Sequence, residues 1–256
     1  GKVIWAEDGE AALKEIHLIC QEKQCRTIVK SKSMVTEEIH LNSFLEKNGI
    51  ESVETDLGEY IQQLDHEPPY HIVTPAMHKS KEDVAKLFHE KLHSAPGLSP
   101  KELAGVAREK LRSKYPEAEI GITGANFIIA ETGSIAITEN EGNARLSCSF
   151  PKTHIVIAGI EKVIPSLTDL SLFWPLLSTF GTGQRVTTYN TIVSGPKQPG
   201  EYDGPEEMIV ILLDNGRTNL LSNLELRESL YCIRCGACLN ACPVYKNIGG
   251  HAYEST

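Results

Sequence analysis

No apolar run in this 256-residue chain approaches the roughly 18 consecutive residues that a membrane-crossing helix needs, so no transmembrane segment is expected. Nor is there a basic surplus: 25 Lys and Arg stand against 34 Asp and Glu, a net charge of −9. A nucleic-acid binder needs a concentrated basic face, and none is expected here. The first residues, Gly1-Lys2-Val3-Ile4-Trp5, do not have the charged-then-apolar layout of a secretory leader, and a cytoplasmic location is expected. Internal repeats and low-complexity tracts are missing as well. What is present, 41% hydrophobic and 23% charged residues, is an ordinary globular composition able to close a core.

Short apolar runs alternate with helical periods over the first eighty residues. Val3-Ile4-Trp5, Thr27-Ile28-Val29, Ile50 to Val53 and His71-Ile72-Val73 read as strands; Glu10 to Gln24 and Thr36 to Lys47 read as helices. That alternation predicts an α/β fold, an open and mostly parallel sheet with helices on both faces. Helices are expected over Lys81 to His93 and Pro100 to Lys114, the second opened by a Ser99-to-Glu102 capping box with Pro at its first position. From Ile120 onward the segments are short and punctuated by Gly. Strands are expected at Ile120 to Thr123, Phe127 to Ala130, Ser134 to Thr138, His154 to Ala158, Arg185 to Val193 and Met208 to Leu213, with a helix from Ser166 to Leu177. The α/β unit is placed at residues 1–217. Residues 218–256 then hold a short linker helix, Asn223 to Leu230, and a cysteine-rich segment.

Cysteine is distributed unevenly. Cys20, Cys25 and Cys148 are scattered, the last read as a half-buried strand residue, whereas Cys232, Cys235, Cys238 and Cys242 fall in a C-x2-C-x2-C-x3-C-P run. A disulfide scaffold would spread them. Three thiolates at three-residue intervals can wrap a tight loop around one iron-sulfur cube, and the fourth leaves the loop at Pro243. Structural zinc takes two cysteine pairs separated by a longer loop, which this compressed run does not offer. In two-cluster ferredoxins the fourth cysteine ligates the other cluster. Four metal ligands are therefore expected here, three for one 4Fe-4S cluster and one for another.

With the cysteine run placed behind an α/β unit, the chain resembles the lactate-utilisation protein B family, the iron-sulfur subunit of the bacterial L-lactate utilisation system. The resemblance is carried by Gly121 to Ser134, Glu139 to Arg145, Gly159 to Lys162, Gly181 to Arg185 and Leu213 to Arg217. It implies a LUD-type domain over 1–217, similar in fold to the sugar-phosphate isomerase and CoA-transferase superfamily. It also implies electron transfer in a complex oxidising L-lactate to pyruvate, with a cysteine-rich iron-sulfur subunit and a second LUD-domain subunit as partners. Family members are longer on both sides and carry a second cysteine run, hence two clusters. On that comparison this chain is expected to be an excised part, its clusters incomplete or absent and its tail after about Tyr231 oxidised or disordered.

Three polar loops are candidates for ligand binding: Thr123, Gly124 and Asn126 with Glu131, Thr132 and Gly133; Asn140, Glu141, Gly142, Asn143 and Arg145; and Gly183, Gln184 and Arg185. Small residues at strand ends let backbone N–H groups approach an anion, and Arg145 or Arg185 could grip a carboxylate or phosphate. The plain alternative is that these are turns. Glu131 is the candidate catalytic residue, because related transferases use a glutamate; a hydrogen-bonded structural role is the competing reading. Two alternatives to electron transfer follow: an α/β domain that is itself an acyl- or sugar-phosphate-type enzyme, and a scaffold that docks subunits. A remote third is a zinc hydrolase, since His89-Glu90-Lys91-Leu92-His93 satisfies H-E-x-x-H. The apolar stripe of that helix is Val84, Leu87, Phe88 and Leu92, which leaves both histidines facing solvent. Trp5 and Trp174 are read as core or interface anchors.

Overall fold

The computed structural model describes residues 1–253; the last three residues of the expected 218–256 segment lie outside them. Strands β1 (Lys2–Ala6), β2 (Thr27–Lys30), β3 (Glu51–Glu54), β4 (Ile120–Thr123), β5 (Phe127–Ile129), β6 (Ser134–Glu139), β7 (Thr153–Gly159), β8 (Val163–Ile164), β9 (Tyr189–Val193) and β10 (Glu207–Leu213) form two sheets. Six of them pair in parallel in the order β1-β10-β7-β4-β2-β3, and four make a smaller sheet, β8-β5-β6-β9. The expected parallel α/β sheet is thus observed. Its central strands read as continuous apolar runs because they are buried on both faces.

Residues alternate between those faces. Ile28, Ile122, Ile155 and Ile211 meet α1 (Gly9–Glu22), α2 (Met34–Glu38) and α3 (Leu41–Lys47). Val29 and Val53 meet α4 (Leu57–Asp65), α5 (Lys81–Leu92), α6 (Pro100–Leu111) and α7 (Lys114–Glu117). Val156, Ala158, Val210 and Leu212 on that second side are covered by the smaller sheet through Ile128, Ile135 and Ile137. The short helix α8 (Asn143–Ser149) lies so close to β4 that a Cβ on Gly121 would sit 1.8 Å from the Ser147 carbonyl oxygen. Only glycine fits there. Beyond the smaller sheet, α9 (Leu170–Thr182) closes a last apolar layer over Phe127, Ile129 and Ile164. Among the described residues no helix is long and apolar enough to cross a membrane.

Several boundaries differ from the sequence reading, each for a local reason. The helix expected over 36–47 breaks at His40, which is left-handed at φ 54°, and the break turns Thr36 inward to meet Lys30. His71 to Val73 is a turn: His71 Nδ1 accepts from the Val73 and Thr74 amides, so the imidazole takes N–H groups a sheet ladder would need. Cys148 lies in α8, buried, and not in a strand. β9 begins at Tyr189, and α9 runs on to Thr182 through Pro175. α10 (Arg217–Ser222) precedes a 3-10 turn at Arg227–Tyr231 where one linker helix was expected. Trp5 is 74% exposed on the edge strand and is no core residue. The segment from Cys232 is folded, with α11 (Ala237–Ala241) and α12 (Pro243–Ile248) docked on the 66–79 loop. There Tyr245 is buried and donates its hydroxyl to the Tyr70 carbonyl.

Candidate functional site

Parallel strands end together, and here the carboxyl ends of β2, β3 and β4 open into a cavity of about 300 Å³. Such crevices are where open α/β sheets bind ligands. Its floor is Ser31 to Ser33 after β2, Asp56 after β3 and Gly124 to Asn126 after β4; the 138–144 loop and the end of α9 form one side. Ile233, Arg234 and Cys235 form part of its wall, so the cysteine run borders the cavity.

Two lysines two residues apart meet opposite fates. Lys30 is fully buried, and its ammonium contacts Glu54 at 2.7 Å, Glu37 at 3.3 Å and the Thr36 hydroxyl at 2.9 Å. Oxygens of Glu37, Glu54 and Glu59 lie within 4.8 Å of one another. One ammonium cannot neutralise three crowded carboxylates, and burial with Glu54 beside it pushes Glu59 up to about 8. Among the described residues Lys32 Nζ, also buried, has no hydrogen-bond partner. Burial holds its amine below the ordinary lysine range against the pull of Asp56, Glu59 and Glu141. Glu141 is raised to about 7 by burial and by Asp56, while one of its oxygens accepts from the Leu57 amide at 3.1 Å.

Lys162 is the third buried amine, brought down to about 8 by burial. It donates to the Cys232 carbonyl at 3.0 Å and so ties the cysteine run to the cavity wall. Arg234 reaches Glu38 at 3.5 Å, and Glu38 is gripped by both terminal nitrogens of Arg217 at 3.0 and 2.9 Å. Arg217, where the α/β unit was expected to end, is buried and locked into it. Gly236 packs so tightly that a Cβ there would be 2.9 Å from His71 Cε1.

Of the sequence candidates, Gly124, Asn126, Asn140, Glu141 and Asn143 line the cavity. Thr123 is buried at the end of β4, its hydroxyl 2.8 Å from His154 Nε2. Asn140 is spent on structure, exchanging hydrogen bonds with Gln184 and accepting from Thr188. Gly142 caps α8 at φ 80°, and Gly183 ends α9 at φ 71°. Neither arginine reaches the cavity: Arg145 lies over the Tyr189 ring at 5.1 Å, and the backbone carbonyl of Arg185 accepts from Ser178. Glu131, Thr132 and Gly133 stand apart from it. The Glu131 carboxylate accepts from the Ser166 hydroxyl at 3.0 Å and the Leu167 amide at 3.2 Å, which is the structural role weighed against catalysis. The H-E-x-x-H reading fails on geometry. α5 stops at Leu92, His93 turns left-handed at φ 57°, and His89 Nδ1 is spent on the Ser94 carbonyl. Sequence reasoning missed Lys32, Asp56, Lys162 and Arg234. The first carried a usable signal, a basic residue between two serines directly after a strand.

The four clustered cysteines are unpaired. Arg234 and Gly236, both at positive φ, curl the chain between Cys232 and Cys238. Two sulfurs receive backbone N–H groups, Cys232 from Arg234 at 3.4 Å and Cys242 from Tyr245 at 3.5 Å, and the latter lowers the Cys242 thiol. Amides aimed at sulfur on a curled backbone suit thiolates that hold an iron-sulfur cluster. Nearby, Glu67, His78 and His251 converge within 4.8 Å, but the Lys79 ammonium already pairs with Glu67 at 2.9 Å and His78 stacks on Tyr70.

Comparison with known proteins adds the family. The LUD domain matches residues 1–213. Lactate utilization protein B of Bacillus subtilis is 51% identical over all 256 residues, which cover 53% of that protein; that of Geobacillus thermodenitrificans is also 51% identical, with 54% covered. The chain therefore spans about half the length of the curated relatives it matches. A solved DUF162-family protein from Deinococcus radiodurans covers 52% of the chain at 18% identity, with a TM-score of 0.31, too slight a likeness to bear on the fold.

Proposed function

The chain belongs to the LUD domain family, and from that premise we propose that it is part of the iron-sulfur subunit of a lactate-utilising system, a complex that oxidises L-lactate to pyruvate. The observation that carries this reading is the position of the cysteine run. Its four unpaired thiols follow the α/β unit, and Cys235 stands in the wall of the strand-end cavity. Cys232, Cys235 and Cys238 would hold one 4Fe-4S cluster, while Cys242 would serve a second whose other ligands lie elsewhere. Such clusters supply one-electron transfer, and oxidation of a 2-hydroxy acid releases two electrons.

The chain's own residues hold the run in place. Lys162 fixes the Cys232 carbonyl, Arg234 bridges to the Glu38–Arg217 pair, Gly236 packs on His71 and Tyr245 anchors α12. A rigid seat keeps reorganisation small when charge arrives, and backbone amides at sulfur favour the reduced state. The likeness to the lactate utilization proteins named above supports the substrate. The LUD-domain unit would meet its partners, a cysteine-rich subunit and a second LUD-domain subunit, in the assembled complex.

The test is anaerobic purification of the full-length protein, with iron and sulfide counted and the electron paramagnetic resonance spectrum recorded before and after L-lactate is added with partner subunits. Two clusters per chain and a lactate-dependent reduced signal support the reading. A protein that loads no iron, or whose lactate oxidation survives Cys235→Ser and Cys238→Ser, refutes it.

A further inference from the structure

Among the described residues, the charged groups that line the cavity have partners, with Lys32 the exception. Asp56 caps α4 by accepting from the Glu59 amide, Glu139 caps α8 through the Ala144 and Arg145 amides, and Lys162 donates to Cys232. Asn126 accepts from the Thr138 amide, and one oxygen of Glu141 accepts from the Leu57 amide. Lys32 Nζ is buried in the cavity floor and, among the described residues, receives nothing in return. An ammonium withdrawn from water without an acceptor is costly, and a protein keeps one where a ligand supplies the missing charge.

We infer that the cavity binds a small 2-hydroxy- or 2-oxocarboxylate, with its carboxylate on Lys32 Nζ and its 2-oxygen on the Glu141 carboxyl. The proposal rests on the lactate-utilising reading for the ligand's identity and on the cavity itself for the site. Charge selects the class. The cavity lining sets Lys32, Lys162 and Arg234 against Asp56, Glu139 and Glu141, with Glu59 also acting on Lys32, so a monoanion on Lys32 leaves less uncompensated negative charge than a phosphate dianion would. The 2-oxygen follows from Glu141. It lines the same cavity, and the Leu57 amide holds one of its carboxyl oxygens at 3.1 Å; with burial raising it to about 7, its carboxyl can accept from a 2-hydroxyl or donate to a 2-oxo oxygen. Placed there, the ligand shares the cavity with Cys235, which forms part of its wall.

The experiment uses full-length protein without partner subunits and ligand-observed saturation-transfer NMR with L-lactate, pyruvate and propionate, with inorganic phosphate read as a competitor that displaces pyruvate. Wild type is expected to bind lactate and pyruvate, with propionate several-fold weaker for want of the 2-oxygen. Lys32→Met should weaken all three carboxylates by roughly tenfold or more, the loss of one charge-assisted hydrogen bond. Glu141→Leu should erase the difference between lactate and propionate while leaving propionate binding intact. Cluster content and the unfolding midpoint, measured on each variant, confirm that it is folded. No carboxylate binding by wild type, equal binding by Lys32→Met, or phosphate bound more tightly than pyruvate overturns the inference. Because binding is read without electron transfer, a protein that reduces its clusters with lactate in the complex but fails here refutes the site alone. One that binds pyruvate but loads no iron refutes the electron-transfer reading alone.

Discussion

Lys30→Met and Lys32→Met change the same residue type two positions apart at the end of one strand, yet the structure predicts stability effects of opposite sign. The Lys30 ammonium serves Glu54 at 2.7 Å and Glu37 at 3.3 Å in a place closed to water. Removing one partner of a buried ion pair costs about 3–5 kcal/mol, because the charge left behind has neither water nor counter-ion. The upper figure is softened here, since Glu54, already raised by burial, can escape by taking a proton. A loss of about 3 kcal/mol at pH 7 is the working value. In the variant the folded Glu54 pKa lies above its unfolded value, so the folded state binds more protons and the deficit narrows as pH falls toward 5. Among the described residues Lys32 Nζ has no hydrogen-bond partner to orphan. Its replacement by Met should be neutral or should raise stability by about 1 kcal/mol, in line with buried charges exchanged for apolar groups. Urea unfolding of both variants at pH 7 and pH 5, with unchanged slopes to confirm two-state behaviour, reads the two values. Equal losses from the two substitutions would refute the distinction between a structural and a ligand-directed lysine.

Three further outcomes are expected. His154 is buried in β7 and burial depresses it to about 4. The unfolded chain therefore binds the extra proton between about pH 6.5 and 4, and stability is lost as pH falls through that window, by about 2 kcal/mol at pH 5. Glu59, raised to about 8, acts in the opposite sense, so the effect is read as wild type minus His154→Leu; a flat difference refutes it. Gly236→Ala places a Cβ 2.9 Å from His71 Cε1 at a φ of 76° and should release residues 232–253 from the 66–79 loop. Faster amide exchange in both segments, with β4 and β7 unchanged, is the expected pattern, and unaltered protection would contradict the docking. Arg217→Ala leaves the half-buried Glu38 and Glu161 without their guanidinium; a loss of about 2–3 kcal/mol in urea unfolding is expected, below that of a fully buried pair, and a loss under 1 kcal/mol would show the clamp to be incidental.

The parallel sheet was legible because a strand buried on both faces needs an unbroken apolar run, and Ile155 to Ala158 and Met208 to Leu213 are such runs. Element ends were less so. His40 and His71 look ordinary in a helical or apolar pattern, and only their backbone angles and side-chain hydrogen bonds show that they interrupt it. The polar loops were half legible: Glu141 and Asn143 do line the cavity, while Glu131, in a small-residue turn of the same texture, lies outside it and accepts from the Leu167 amide at the start of a 3-10 turn.

The cysteine spacing and the alternation of apolar runs are local in the chain, so the sequence by itself determined the α/β class and raised the iron-sulfur reading of the C-terminal run. Charge state and pairing are not local. Lys30 and Lys32 are the same residue type two positions apart, and Lys162 lies 70 residues from the carbonyl it holds. Tertiary structure alone decided that one lysine would be neutralised by glutamates, one would fasten Cys232, and one would be left buried and unpaired at the strand ends, because burial and distance set the cost of a charge and neither can be read along the chain.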